Sequence, residues 1–189
     1  MFRIQIEENL HLELLQMIHS QELFALVDQN REHLRQWLPW LDDSKSEEDT
    51  KGFIKRTMQQ FADDLGCQVG IFFEGKMVGV CGFHPLDKKD RRGELGYWLS
   101  QEFEGRGFMT KTCARLIQIG FEQLDLNKIS IRCATENCKS ASIPERLGFV
   151  KEGTFRESEW LYDRFLDHYS YSQLRSEYLN SVDSDAQNK

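Results

Sequence analysis

The sequence predicts one mixed α/β domain: an antiparallel meander of strands, then a helix, a strand, a short helix and a closing hairpin. Three observations carry that prediction. Several short runs alternate apolar and polar residues, as half-buried strands require, while longer runs switch to helical spacing. Turn residues, glycine prominent among them, separate these runs at short intervals. Nothing in the 189 residues reads as a linker, because there are only three prolines and no low-complexity tract.

The elements follow in order. Residues 2–7 and 10–16 alternate as strands. Leu23, Phe24, Val27 and Leu34 fall at helical spacing over 20–37, and Pro39 ends that helix because it also restricts Leu38. Ser46, followed by Glu47, Glu48 and Asp49, reads as a capped start with acids in the first turn. Ile54, Met58, Phe61 and Leu65 then give an apolar stripe. Runs 68–73 and 77–83, joined by Glu74-Gly75-Lys76, read as a hairpin. A charged loop with Asp90, Arg91 and Arg92 leads to a strand over 94–100. The turn Glu104-Gly105-Arg106-Gly107 opens the strongest helix, whose buried face takes Met109, Cys113, Leu116, Ile117, Gly120, Phe121 and Leu124. Ile129, Ile131 and Cys133 alternate in a strand, and a short helix over 138–147 closes at Gly148. Strands at 149–157 and 161–174 finish the fold. The polar segment from Ser181 is expected to fray, so the domain is placed at 1–178 and a tail at 179–189.

Composition narrows the function. The net charge of −7 disfavours nucleic acid, which needs a basic surface, and suits a cationic acceptor better. No apolar run approaches the roughly 18 residues of a membrane span. The amino terminus alternates where a signal peptide would place a basic and then an apolar region, so a cytoplasmic setting without membrane contact is expected. Cys67, Cys81, Cys113, Cys133 and Cys138 are scattered, with no CxxC pair or Cys/His cluster. They read as reduced structural thiols, with no metal.

The chemistry concentrates between Glu94 and Phe149. A glycine turn feeding a helix start presents unpaired N–H groups at the positive end of the helix. Gly105 and Gly107 permit unusual torsions and a close approach of backbone to a pyrophosphate. A tight strand-to-helix turn without a ligand would use the same glycines. The Lys-Ser/Thr of a P-loop and the third glycine of a dinucleotide fingerprint are both missing.

The block ELGYWLSQEFEGRGFMTKTCARLIQIGFEQLDLNKISIRCATENCKSASIPERLGF resembles the GNAT superfamily of N-acetyltransferases. The family's turn pattern falls on Glu104, Gly107 and Met109, of which the central glycine fits. Its Asn-x-x-Ala/Ser helix followed by Gly-Phe falls on Asn137, Ser140, Gly148 and Phe149. Many members carry a tyrosine where this chain has Pro144. The Leu-Gly-Tyr-Trp-Leu strand, the Gly-x-Gly-x-Met-Thr turn and the Trp-Leu-Pro-Trp segment are similar to the ribosomal-protein acetyltransferases of the RimJ/RimL type. The likeness runs from about Leu10 to Tyr178.

The resemblance implies a GNAT-like, mostly antiparallel twisted sheet, flanked by helices and splayed between the family's fourth and fifth strands. Here those carry Tyr97 to Ser100 and Ile129 to Cys133. It implies acetyl-CoA as cosubstrate, with the pantetheine arm along Trp98 and Leu99 and the pyrophosphate on Glu104, Gly105, Arg106, Gly107, Phe108, Met109 and Thr110. Asn137 and Ser140 join the cofactor set, although Asn137 could equally fix its own turn. The acceptor it implies is an amine, above all the N-terminal α-amine of a ribosomal protein, acetylated by direct transfer. A polyamine or antibiotic amine, and an idle acyl-CoA sensor, are the alternatives.

Within that frame Ser140 is the candidate proton donor to the CoA sulfur, or else a helix-start residue. Backbone N–H near Leu99 is placed to polarise the thioester carbonyl. Glu94 is the first candidate base, with a surface ion pair as its bland role, and His168 is the second. Cys133 and Cys138 lie near the thioester in sequence, but buried thiols are usually inert. Trp37 and Trp40 either wall the acceptor mouth or pack a helix end. Trp160, Tyr162, Tyr169 and Tyr171 offer an acceptor site or a homodimer interface.

Overall fold

Eight strands form the spine in the spatial order β1-β2-β3-β4-β5-β6-β8-β7. The computed structural model describes residues 3–187, so Phe2, expected in the first strand, lies outside the described residues. Strands β1 (Arg3–Glu7), β2 (Leu10–Leu14), β3 (Gln68–Phe73), β4 (Lys76–Phe83) and β5 (Arg92–Leu99) make an antiparallel half. Strands β6 (Lys128–Ala134), β8 (Arg164–Leu174) and β7 (Val150–Leu161) make a second antiparallel half. The halves meet along a short parallel ladder that pairs Arg92, Gly93 and Glu94 with Lys128, Ile129 and Ser130. Beyond Glu94 the two strands part. In chain order these are the fifth and sixth strands, and they carry the residues expected to splay.

Each face of the sheet has its own helices, because alternate strand residues supply both cores. Helices α1 (Ser20–Gln29) and α3 (Glu47–Ala62) cover one face, where Leu23, Val27, Leu41 and Ile54 pack on Leu15, Phe72, Met77 and Val80. Helices α4 (Phe108–Glu122) and α5 (Cys138–Arg146) cover the other, over Ile71, Val78, Leu95, Ile129 and Ile131. Ser46 caps α3 as expected, in a reciprocal box with Asp49.

Five elements differ from the sequence's prediction. The stripe expected on α3 from Ile54, Met58, Phe61 and Leu65 does not form: Thr50, Ile54 and Thr57 are buried, Met58 and Phe61 are exposed, and Leu65 lies past the helix end. The helix expected over 20–37 breaks at Asn30 into α1 and α2 (Arg31–Arg35). There the Asn30 amide donates to the Leu26 carbonyl, and its side-chain oxygen accepts from the Gln101 N–H. Leu124 falls past the end of α4 and is exposed, because the helix stops at Glu122. Strand β7 runs on to Leu161, through a bulge in which Glu157 takes φ 48° and donates its N–H to Asp167 at 2.7 Å. Residues 181–187, expected to fray, are instead the end of helix α6 (Arg175–Gln187), whose earlier part is docked by Tyr178 stacked on Phe121 and bonded to Glu122 at 2.7 Å; residues 188 and 189 lie outside the described residues.

Candidate active site

The parting between β5 and β6 is the centre of the site, and its mouth is the turn that follows β5. A single 3-10 turn, Gln101–Phe103, leads to Gly105 at φ 75° and Gly107 at φ 78°. Gly107 precedes α4 in the left-handed region with no side-chain cap. The first-turn N–H groups of Phe108, Met109 and Thr110 therefore point out of the helix without intrahelical acceptors. A Cβ built on Gly105 would meet nothing within 4 Å, and one on Gly107 only the Lys111 side chain at 3.9 Å. The backbone here is an open cradle, which fits a pyrophosphate.

Glu104 does not spoil the cradle. Its carboxylate is bound by Lys139 of α5 on one oxygen and lies 3.2 Å from His33 Nε2 of α2 on the other. Arg106 lies over the Phe103 ring at 5.0 Å, and Arg146 reaches the Thr110 hydroxyl at 3.2 Å. Cations thus gather round the helix start of an otherwise acidic chain.

Deeper in the parting, two of the expected residues, Asn137 and Ser140, meet Tyr97, for which no role was expected. Asn137 precedes α5 and accepts the Ser140 N–H at 3.0 Å, so its own turn chemistry is satisfied. Ser140 Oγ lies 3.3 Å from the Tyr97 hydroxyl of β5, which in turn donates to the Ser140 carbonyl at 3.1 Å. Burial pushes the Tyr97 phenol well above its usual range, so it stays protonated. Burial likewise pushes the Cys133 thiol up to about 11, leaving it a neutral thiol at working pH and a poor nucleophile. Cys138 is exposed.

The candidate bases lie on the opposite face from Tyr97. Glu94 alternates with it along β5, and Arg132 grips both Glu94 oxygens at 2.9 and 3.0 Å. His168 is the cross-strand partner of Ala134 and shares its face. Its Nδ1 lies 2.9 Å from Ser158 Oγ and its Nε2 3.5 Å from Glu159. Trp37 packs against Ala134, Leu161 and Leu166 on this face, and Tyr162 bonds the Leu38 carbonyl at 2.7 Å. Trp40 is partly exposed and its ring lies 6.4 Å from that of Trp98. Beside them a surface cavity of about 440 Å³ is lined by Arg35, Gln36, Leu161, Tyr162, Asp163 and Arg164.

A sheet parted at its centre, with an anion cradle at the mouth and a hydroxyl network inside, defines an acyl-CoA-dependent transferase. The model of the GNAT acetyltransferase domain matches residues 9–150. The Bacillus subtilis protein named "Putative ribosomal N-acetyltransferase YdaF" is 35% identical over 180 residues, covering 94% of this chain and 98% of its own. The ribosomal-protein-serine acetyltransferase of Escherichia coli is 28% identical over 171 residues, 90% of this chain and 96% of its own. RimL, a ribosomal alpha-N-protein acetyltransferase solved with coenzyme A, superposes with a TM-score of 0.90 over 93% of this chain and 99% of its own, at 24% identity. The chain belongs to the GNAT family of N-acetyltransferases, which take their acetyl group from acetyl-CoA.

Proposed function

We propose that this enzyme acetylates the N-terminal α-amine of a protein, of the ribosomal-protein kind, in the cytoplasm. The observation that carries the reading is the parted sheet with the Ser140 hydroxyl inside it; Trp37, Trp40 and Tyr162 on the opposite face would wall the acceptor mouth. The cavity beside that mouth gives an extended peptide room to continue past its first residue. The likeness to ribosomal-protein acetyltransferases along nearly the whole chain supports the same acceptor.

The cradle of residues 104–110 holds the pyrophosphate, and the pantetheine lies along the open edge at Trp98 and Leu99 as an added strand would. Backbone N–H near Leu99 polarises the thioester carbonyl. The amine nitrogen attacks the carbonyl carbon and the carbon–sulfur bond breaks. Ser140 passes its proton to the departing sulfur and takes one back from solvent, and the amine's proton passes to His168, which Ser158 and Glu159 orient. Glu94 is the second choice for that base, because Arg132 already occupies both of its oxygens.

The test is an acceptor panel of ribosomal-protein N-terminal peptides, spermidine and aminoglycosides, followed by release of free CoA thiol. Peptides are expected to turn over fastest. Faster turnover of spermidine would favour the polyamine reading, which the net charge of −7 also suits. Ser140→Ala should lower kcat by about ten- to a thousandfold with little change in acetyl-CoA affinity. His168→Asn should move the rate optimum upward, toward the range near pH 8 where an α-amine deprotonates unaided. If Glu94→Gln moves the optimum and His168→Asn does not, the base is Glu94.

A further inference from the structure

Pro144 sits inside α5. A proline there has no N–H to give to the carbonyl four residues earlier, which belongs to Ser140. That carbonyl nonetheless has a partner, because the Tyr97 hydroxyl reaches across the parting and donates to it at 3.1 Å. The same phenol oxygen lies 3.3 Å from Ser140 Oγ. With the phenol proton committed to the carbonyl, the oxygen's lone pairs face the serine hydroxyl and accept from it. Two bonds from one atom therefore fix both the backbone and the rotor of Ser140.

We infer that Tyr97 is the positioning residue of the transfer step: it holds Ser140 Oγ within reach of the departing sulfur, with the hydroxyl proton resting on the Tyr97 oxygen until it turns to the sulfur as the carbon–sulfur bond breaks. The inference rests on the proposed role of Ser140. Tyr97 acts only through the serine, and it reaches Ser140 because Pro144 leaves the carbonyl open. Its ring packs against the core shared by β4, α4 and β6, which makes it a stiff strut. The pressure of burial toward the protonated phenol keeps the strut a donor at every working pH.

Tyr97→Phe keeps the ring and removes one oxygen. It should lower kcat by about ten- to a hundredfold while the acetyl-CoA dissociation constant stays within about twofold, the split expected of a group that matters in the transition state. In a Ser140→Ala background the same change should cost nothing further, because the two residues act as one unit. Adding Pro144→Ala to Tyr97→Phe returns an N–H to the Ser140 carbonyl. If that restores kcat, Tyr97 merely satisfied a backbone group and the inference is overturned. It is overturned as well by a Tyr97→Phe enzyme of normal kcat, or by losses that multiply with those of Ser140→Ala. A silent Ser140→Ala in a folded protein overturns the proton-donor reading and this inference with it. A crippled Ser140→Ala beside a silent Tyr97→Phe removes this inference alone.

Discussion

At Gly107 the backbone stands at φ 78° and ψ 0°, where an L residue pays about 1–2 kcal/mol, and the space above it is open. Gly107→Glu should therefore leave a folded protein yet lower acetyl-CoA affinity by more than about a hundredfold, since a carboxylate would stand in the cradle. Calorimetry reads this directly, and an unchanged affinity would place the phosphates elsewhere. Gly105 and Gly107 were legible from the sequence because a glycine turn before an amphipathic helix is a local signal. Glu104 was not, since its meaning depends on Lys139 and His33, which only the fold brings near it. The contacts of Tyr97 with Ser140 were hidden for the same reason, although a proline inside a predicted helix was a clue that some carbonyl would need a donor.

Among the elements, α4 was the easiest to foresee, and it sits close on the sheet. A Cβ at Gly120 would lie 2.7 Å from Ile129 Cδ1 and 3.0 Å from Phe83 Cζ, so the helix rests on β6 at a distance only glycine permits. Gly120→Ala should destabilise the protein by about 1–3 kcal/mol, as overpacking does. Adding Ile129→Val, which deletes the nearest atom, should recover part of the loss in denaturant unfolding. A Gly120→Ala protein of unchanged midpoint would mean that α4 can lift off the sheet freely. Elements whose limits depend on tertiary partners were harder to read. Asn30 breaks a helix that spacing alone would continue, and there its side chain bonds to Gln101 in the turn after β5. Glu157 looked like a strand end because the sequence turns polar there, yet Asp167 holds it inside a bulge. Helix α6 has little apolar signal of its own, and Tyr178 supplies its anchor.

For the whole molecule, two antiparallel half-sheets are joined by three residue pairs and by the helices that bridge them. A ligand that fills the parting binds the native state alone, so acetyl-CoA at about a hundred times its dissociation constant should add about 2.7 kcal/mol to the unfolding free energy. Amide hydrogen exchange should show the gain as protection along residues 95–99, with little change in β1 to β3. An even gain over the sheet, or none, would mean that the cofactor does not lie in the parting.

The parting also bears on how long the protein lasts. Most folds confine unpaired strand edges to the rim of the sheet, where charge and bulges blunt them. Here two such edges face each other beyond Glu94, and in the proposed placement the donor substrate would cover them. A cell rich in acetyl-CoA would keep the seam covered, whereas a starved one would leave it open to proteases and to strand exchange between copies. The supply of acetyl groups would then govern the lifetime of the enzyme as well as its rate.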